Sequence, residues 1–181
     1  INELDKHAWK KHVWYDSGTD LSSTQSADYE PEVFEPDMFS KDIHKINDYI
    51  IQKLHSLILE YTQSFKFDWF SGWEGYSGIK FMRYYPGQTM QNHCDHIQSL
   101  FDGERKGIPV LSIIGILNDD YEGGEFQFAT YRQEKCEIHT PEFNKTGSIV
   151  VFPSDMEHRV ASITKGVRYS LVTWFVGPPF V

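Results

Sequence analysis

The chain has 181 residues, 40% of them apolar and 15% aromatic, with 26 acidic against 17 basic side chains and a net charge of -9. That length and balance suit one folded domain with a full core and exclude a disordered chain. The acidic excess argues against duplex DNA or an anionic membrane as partner. No apolar stretch approaches the roughly 20 residues that span a bilayer. No leader pattern opens the chain, although it begins at Ile1 and not Met, which leaves a trimmed leader open. Two cysteines, Cys94 and Cys136, are too few for a disulfide scaffold and point to a reducing, cytoplasmic setting.

Alternation around His12, Val13, Trp14 and Tyr15 predicts a short strand. Residues 16–37 carry seven carboxylates and no Lys or Arg, with Ser, Thr, Gly and Pro throughout, and read as a long surface loop. Loops of that length are uncommon unless they are lids, binding loops or disordered segments. A flexible, solvated acidic loop without a role is one reading, and a lid over the jelly-roll mouth is the other, since Tyr29, Phe34 and Phe39 are residues a pure linker does not need. One clear helix follows over about 41–63, with Ser40 as N-cap and Asp42 in its first turn. Its apolar stripe is Ile43, Ile46, Ile50, Leu54, Leu57, Ile58 and Tyr61. Beyond it the chain reads as short strands between turns: 79–85, 110–117, 125–130, 135–139, 148–152, 158–163 and 167–176. Seven or so strands at this spacing predict a sandwich or jelly-roll barrel.

Three segments carry chemistry. In Asn92-His93-Cys94-Asp95, the imidazole and the carboxylate are two residues apart, so an extended chain turns both to one side. In Gly147-Ser-Ile-Val-Val-Phe-Pro-Ser-Asp-Met-Glu-His158, a strand and a turn lead to a second imidazole. Either signal alone is weak, since surface histidines after turns are common. Together, two His and one carboxylate make the facial triad of non-haem Fe(II) oxygenases, with coordination positions to spare. In Gly166-Val-Arg168-Tyr-Ser170-Leu-Val172-Thr-Trp174, alternation places Arg168, Ser170, Val172 and Trp174 on one face. If that face is interior, the guanidinium needs an anionic partner, and the strand holds no acidic residue. A small carboxylate ligand would supply one. Otherwise Arg168 is a surface residue on an edge strand.

At these residues the chain resembles the 2-oxoglutarate and Fe(II)-dependent dioxygenases of the prolyl 4-hydroxylase-like group. The resemblance covers residues 79–179 and rests on RYYPGQTMQNHCD, LNDDYEGGEFQF and GSIVVFPSDMEHRVASITKGVRYSLVTWFVGP, with ten residues from His158 to Arg168. It implies a mainly β fold, a double-stranded β-helix or jelly roll, with the long N-terminal helix packed outside. It implies His93, Asp95 and His158 as iron ligands and Arg168 as partner of the 2-oxoglutarate C5 carboxylate. Tyr84, three residues before Gly87, takes the place of a cosubstrate-holding Tyr, with its neighbour Tyr85 as the fallback. Some relatives have a second Tyr where Ile116 stands here, so Ser170 is the substitute hydroxyl. The implied cofactors are Fe(II), 2-oxoglutarate, dioxygen and ascorbate as reductant. The implied reaction is hydroxylation of an unactivated C–H bond, first of all in a prolyl residue of a peptide or protein, and Asp95 favours hydroxylation over halogenation.

Other readings stay open. The chain could be a metal-binding jelly roll without oxygenase activity, or an oxygenase of free amino acids or other small molecules. It could be a zinc hydrolase with Glu125 or Glu157 as general base. His96 is a weaker ligand candidate than His93, and His7, His12 and His139 read as surface residues. Cys94 reads as a packed small residue pointing away from the metal, and Met82, Met90 and Phe126 as core. Gly123 and Gly124 read as turn-shaping, without chemical role. Nothing in the sequence fixes an oligomeric state.

Overall fold

The computed structural model describes residues 1–12, 29–36, 41–64, 73–96, 108–132 and 135–177. A 3-10 turn at Leu4–Lys6 precedes β1 (Lys10–Lys11) and β2 (Glu32–Phe34), and α1 spans Lys41–Ser64. Then come β3 (Gly75–Tyr76), β4 (Lys80–Tyr84), β5 (Met90–His93), β6 (Ile108–Ile116), β7 (Glu122–Gly123) and β8 (Phe126–Arg132). The chain continues through β9 (Lys135–His139), β10 (Ile149–Pro153), β11 (His158–Val160), β12 (Ile163–Lys165) and β13 (Arg168–Gly177). Among the described residues the fold is mainly β with one α-helix, as expected from the sequence. Among the described residues no helix is long and apolar enough to cross a membrane.

All strand pairing is antiparallel. The larger sheet runs β1-β2-β4-β13-β6-β10, with β3 on the far half of β13. The smaller runs β5-β11-β8-β9, and β7 pairs with β12. Period-two alternation gives the larger sheet two apolar faces. On one, Met82, Tyr84 and Ile114 join Phe126, Phe128, Phe152 and Val160 in the core between the sheets. On the other, Phe81, Leu171, Ile113 and Phe175 pack on α1 through Ile43, Ile51, Leu54 and Ile58.

Several expectations need correction. The short strand expected within residues 1–15 is described at Lys10–Lys11, and residues 13–15 fall outside the described residues. The stretch 16–37 is not loop throughout. Glu32–Phe34 pairs with β4 through Glu32↔Arg83, Val33↔Met82 and Phe34↔Phe81, and Phe34 is buried. The physical cause is Arg83, whose Nε donates to Glu32 at 2.9 Å while its Nη1 reaches Asp5 at 3.1 Å. Residues 16–28, 37 and Phe39 lie outside the described residues, so the lid expectation bears on them alone. On α1, Ile46 and Leu57 are exposed and Ile51 is buried instead, because the helix touches the sheet along a narrower stripe than its apolar pattern offers. The expected strand 158–163 breaks at Ala161-Ser162 into β11 and β12, which join different sheets. The short strands β3, β5 and β7 carry too few residues to show a period in the sequence.

Candidate metal centre

His93 closes β5 and His158 opens β11, and the two are register partners. The next aligned pair is Val160↔Met90, so Arg159 alone faces both Gln91 and Asn92. This β-bulge re-aims the local chain, as bulges beside sites do. The Gln91 carbonyl lies 2.8 Å from His93 Nδ1, and the Met156 carbonyl lies 3.0 Å from His158 Nδ1. Each backbone oxygen accepts from Nδ1–H, which sets the tautomer and turns Nε2 inward. The His93 and His158 rings sit 4.2 Å apart between centroids. Phe126 and Phe152 flank the His158 ring at 5.5 and 4.8 Å.

Asp95 completes the group just beyond β5. Its Oδ1 is 3.4 Å from His93 Nε2 and its Oδ2 is 3.6 Å from His158 Nε2. One donor atom from each of the three residues lies within 4.8 Å of the others. Burial pushes the Asp95 carboxyl up, but the His93 hydrogen bond, the charges of His158 and His93 and the Ser112 hydroxyl together hold it down at about 2. Burial drives the His158 imidazole down to about 4, against the pull of Asp95 and with the repulsion of His93. The group is thus a carboxylate with a neutral His158 at neutral pH, the protonation state a divalent cation needs.

On the facing, larger sheet, Arg168 opens β13 opposite Tyr84, the last residue of β4, whose ring joins Phe126 and Phe152 in the core between the sheets. Its side chain is fully buried, with 0% of its surface exposed. Nη1 donates to Ser170 Oγ at 2.8 Å, and the guanidinium stands 5.1 Å above the Tyr84 ring. Nε and Nη2 find no hydrogen-bond acceptor among the described residues. A buried, partly unpaired guanidinium is costly unless an anion meets it. Burial pushes the Tyr84 phenol up to about 12, against the pull of Arg168. Gly124 makes room for this arrangement. At φ 67°, a Cβ there would collide with Ile163 and come within 3.1 Å of Arg168 Cδ.

The remaining candidates fall away from the centre. Tyr85 lies on the outer face under Arg83. Ile116 is buried and supplies no hydroxyl beside Ser170, its register partner. His96 Nδ1 is held at 2.7 Å by the Pro109 carbonyl and lies outside the cluster. Cys94 points its thiol at the Asp155 carbonyl, away from the donors, and the Glu157 carboxylate accepts from Tyr131. His139 is exposed, but His7 stacks on Phe34 at 4.7 Å and His12 approaches Glu30 at 3.4 Å, so neither of these is a plain surface residue. Sequence reasoning missed Ser112 and Ser154, which are fully buried beside Asp95, and the role of Gly124. The signal for Ser112 was its place inside the apolar run of β6.

A two-sheet β fold with two inward imidazoles, one carboxylate and a buried guanidinium defines a metal centre of the non-haem kind, with an anion site nearby. The donors suit Fe(II), and the unpaired guanidinium edge suits one carboxylate of a dicarboxylic acid. The family model of the 2OG-Fe(II) oxygenase superfamily matches residues 79–176, and the chain belongs to that family. Its metal and cosubstrate are therefore Fe(II) and 2-oxoglutarate. A PKHD-type hydroxylase of Shewanella oneidensis is 35% identical over 97 residues, covering 52% of this chain and 40% of the relative. One of a Picosynechococcus species is 34% identical over 98 residues, covering 53% and 40%. The matched part thus spans well under half of these relatives' length. Among solved structures, a prolyl-4-hydroxylase of Pseudomonas putida has TM-score 0.58 at 21% identity, over 82% of this chain and 72% of that one. A Trichoplax adhaerens prolyl hydroxylase in complex with a hypoxia inducible factor peptide fragment has TM-score 0.65 at 14% identity, over 97% and 73%. At these identities the likeness is one of fold.

Proposed function

We propose that this chain is a 2-oxoglutarate-dependent dioxygenase that hydroxylates an unactivated C–H bond of a prolyl residue in a peptide or protein. In this reading the two sheets form a double-stranded β-helix within one domain, with α1 packed outside. His93, Asp95 and His158 hold Fe(II), Arg168 and Ser170 take the distal carboxylate of 2-oxoglutarate, and the Tyr84 ring supports the guanidinium from below. Bound Fe(II) supplies dioxygen activation, coupling decarboxylation of 2-oxoglutarate to hydroxylation. The protein's own part is positioning and exclusion of water. Backbone carbonyls fix both imidazoles, Asp95 stays ionised, and the aromatic wall of Phe126 and Phe152 keeps the site dry.

The observation that carries the reading is the pairing of two features on the facing sheets that enclose one core. One is the three-donor cluster, and the other is a fully buried guanidinium with two nitrogens lacking an acceptor. A non-catalytic metal-binding domain has no need of the second. The similar proteins, a PKHD-type hydroxylase and two prolyl hydroxylases, support the choice of reaction and of a peptide substrate. The two free thiols, Cys94 and Cys136, support a cytoplasmic setting. The test is anaerobic reconstitution with Fe(II) and 2-oxoglutarate, followed by succinate formation across proline-containing peptides, other peptides and free amino acids. A weak visible charge-transfer band is expected, with turnover on prolyl peptides. The His158→Ala variant should lose both. Turnover retained in that variant refutes the ligand set, and turnover on free amino acids alone refutes the peptide substrate.

A further inference from the structure

Beside Asp95 Oδ2, the carboxylate oxygen 3.6 Å from His158 Nε2, lie two hydroxyls that neither composition nor packing requires. Ser112 sits in the middle of β6, between Leu111 and Ile113, and Ser154 follows β10. Both side chains have 0% of their surface exposed. Ser112 Oγ donates to Asp95 Oδ2 at 2.7 Å and lies 2.9 Å from Ser154 Oγ. Since the Ser112 proton points at the carboxylate, the Ser154 hydroxyl is the donor between the two serines. The result is a directed chain, Ser154 O–H to Ser112 O–H to Asp95 Oδ2, in which each bond polarises the next. The backbone closes the same loop, because the amides of Asp95 and His96 both donate to the Ser154 carbonyl, at 2.9 and 3.0 Å. The Ser154 amide in turn donates to the Val110 carbonyl on β6 at 3.0 Å.

We propose that Ser112, supported by Ser154, is a positioning residue for the metal: it ties up Asp95 Oδ2 and reserves Oδ1 as the ligating oxygen. This inference rests on the reading of His93, Asp95 and His158 as the metal-holding set. Asp95 stands past the end of β5 and has no strand partner to fix its χ angles. A carboxylate so placed could rotate about its Cβ–Cγ bond and offer either oxygen, or both. A short, charge-assisted hydrogen bond from a rigid central strand removes that freedom. Ser112 is locked in turn by its register, opposite Phe152 on β10 and Trp174 on β13. A valine or alanine would fill that buried strand position as well, so packing alone gives no reason for a hydroxyl there.

The experiment is anaerobic Co(II) and Fe(II) titration of the wild type, His158→Ala, Ser112→Ala and Ser112→Cys, read by calorimetry and by the Co(II) visible spectrum. Measurements are made well below the thermal midpoint of each metal-free protein. The wild type should bind one Co(II), and His158→Ala should not. Against that background Ser112→Ala should bind about 10- to 100-fold more weakly, the usual scale for groups that orient a metal ligand. Its Co(II) spectrum should also change as the carboxylate alters its mode of ligation. Should the alanine variant fail to fold, Ser112→Cys is read in its place, because a thiol of similar volume is a far weaker donor. Wild-type affinity with an unchanged spectrum in the folded Ser112 variant overturns the positioning role while leaving the metal site standing. Equal binding by wild type and His158→Ala overturns the ligand set itself, and the positioning role with it.

Discussion

Replacing Arg168 with Met should cut cosubstrate affinity sharply while changing ligand-free stability little. The guanidinium is fully buried with Nε and Nη2 lacking an acceptor, so the ligand-free protein carries a charge that is only partly compensated. An apolar side chain of similar length removes that cost, and such replacements gain about 1–4 kcal/mol where the charge is poorly paired. Against this stand the lost bond to Ser170 and the lost contact with the Tyr84 ring, each worth about 1 kcal/mol. The net change then runs from a loss of about 1 kcal/mol to a gain of about 2 kcal/mol. With 2-oxoglutarate present the variant is the loser throughout. Truncating one partner of a buried charge pair costs about 2–5 kcal/mol, or roughly 30- to several thousand-fold in affinity. The assay is thermal unfolding with Mn(II) in place of Fe(II), titrated with 2-oxoglutarate, alongside the KM for turnover. At 100 times its Kd the ligand should stabilise the wild type by about 2.7 kcal/mol and the variant by less than about 1 kcal/mol. A variant that keeps the ligand-dependent shift and the wild-type KM would refute Arg168 as the carboxylate partner.

Metal-free stability should fall as pH drops from 6.5 toward 4. The folded state holds His158 down at about 4 against an ordinary 6.5, so the unfolded chain takes up the proton first. The contribution is nil above 6.5, and the loss grows through that window to about 3 kcal/mol. Asp95, held at about 2 against 3.8, adds its own loss only below that. Urea unfolding at pH 7 and 4.5 should show this loss, and His158→Gln should flatten it; equal slopes would refute the assignment. Ile58→Ala, in the contact between α1 and β6, should cost about 2–5 kcal/mol, while Ile46→Ala on the exposed flank should cost under about 1 kcal/mol in the same assay. Gly124→Ala should cost at least 1–2 kcal/mol for its left-handed backbone, and should weaken 2-oxoglutarate binding by displacing the Arg168 stem, read as a raised KM.

The centre was legible in the sequence because its members sit at fixed local steps. His93 and Asp95 are two residues apart, and Arg168 interrupts an apolar run that alternation turns inward. β13 announced itself by the same alternation, and β6 by an apolar run ended by Asn118-Asp119-Asp120. What escaped was set by tertiary contact. Glu32–Phe34 is strand because Arg83 and Phe81 await it on β4, and nothing in that acidic stretch signals this locally. Ile46 and Leu57 fit the helical period as well as Ile51 does, and only the shape of the sheet beneath decides which is covered. Ser112 stood out as polar in an apolar strand, but its meaning needs Asp95, which arrives from another sheet and 17 residues away.

The packing of α1 bears on how this chain could be divided or transplanted. The residues that carry the family signature begin at Ile79, yet Phe81, Ile113, Leu171 and Phe175 turn their backs to the site and lie under the helix. A fragment starting at that residue would keep every metal donor and still expose a broad greasy plateau to water. It would also lose β2, leaving the edge of β4 open to strands from neighbouring molecules. The segment matched by the family model is therefore not a self-sufficient cassette. Grafting it into another scaffold requires bringing the amphipathic cover along or repainting that plateau with polar side chains.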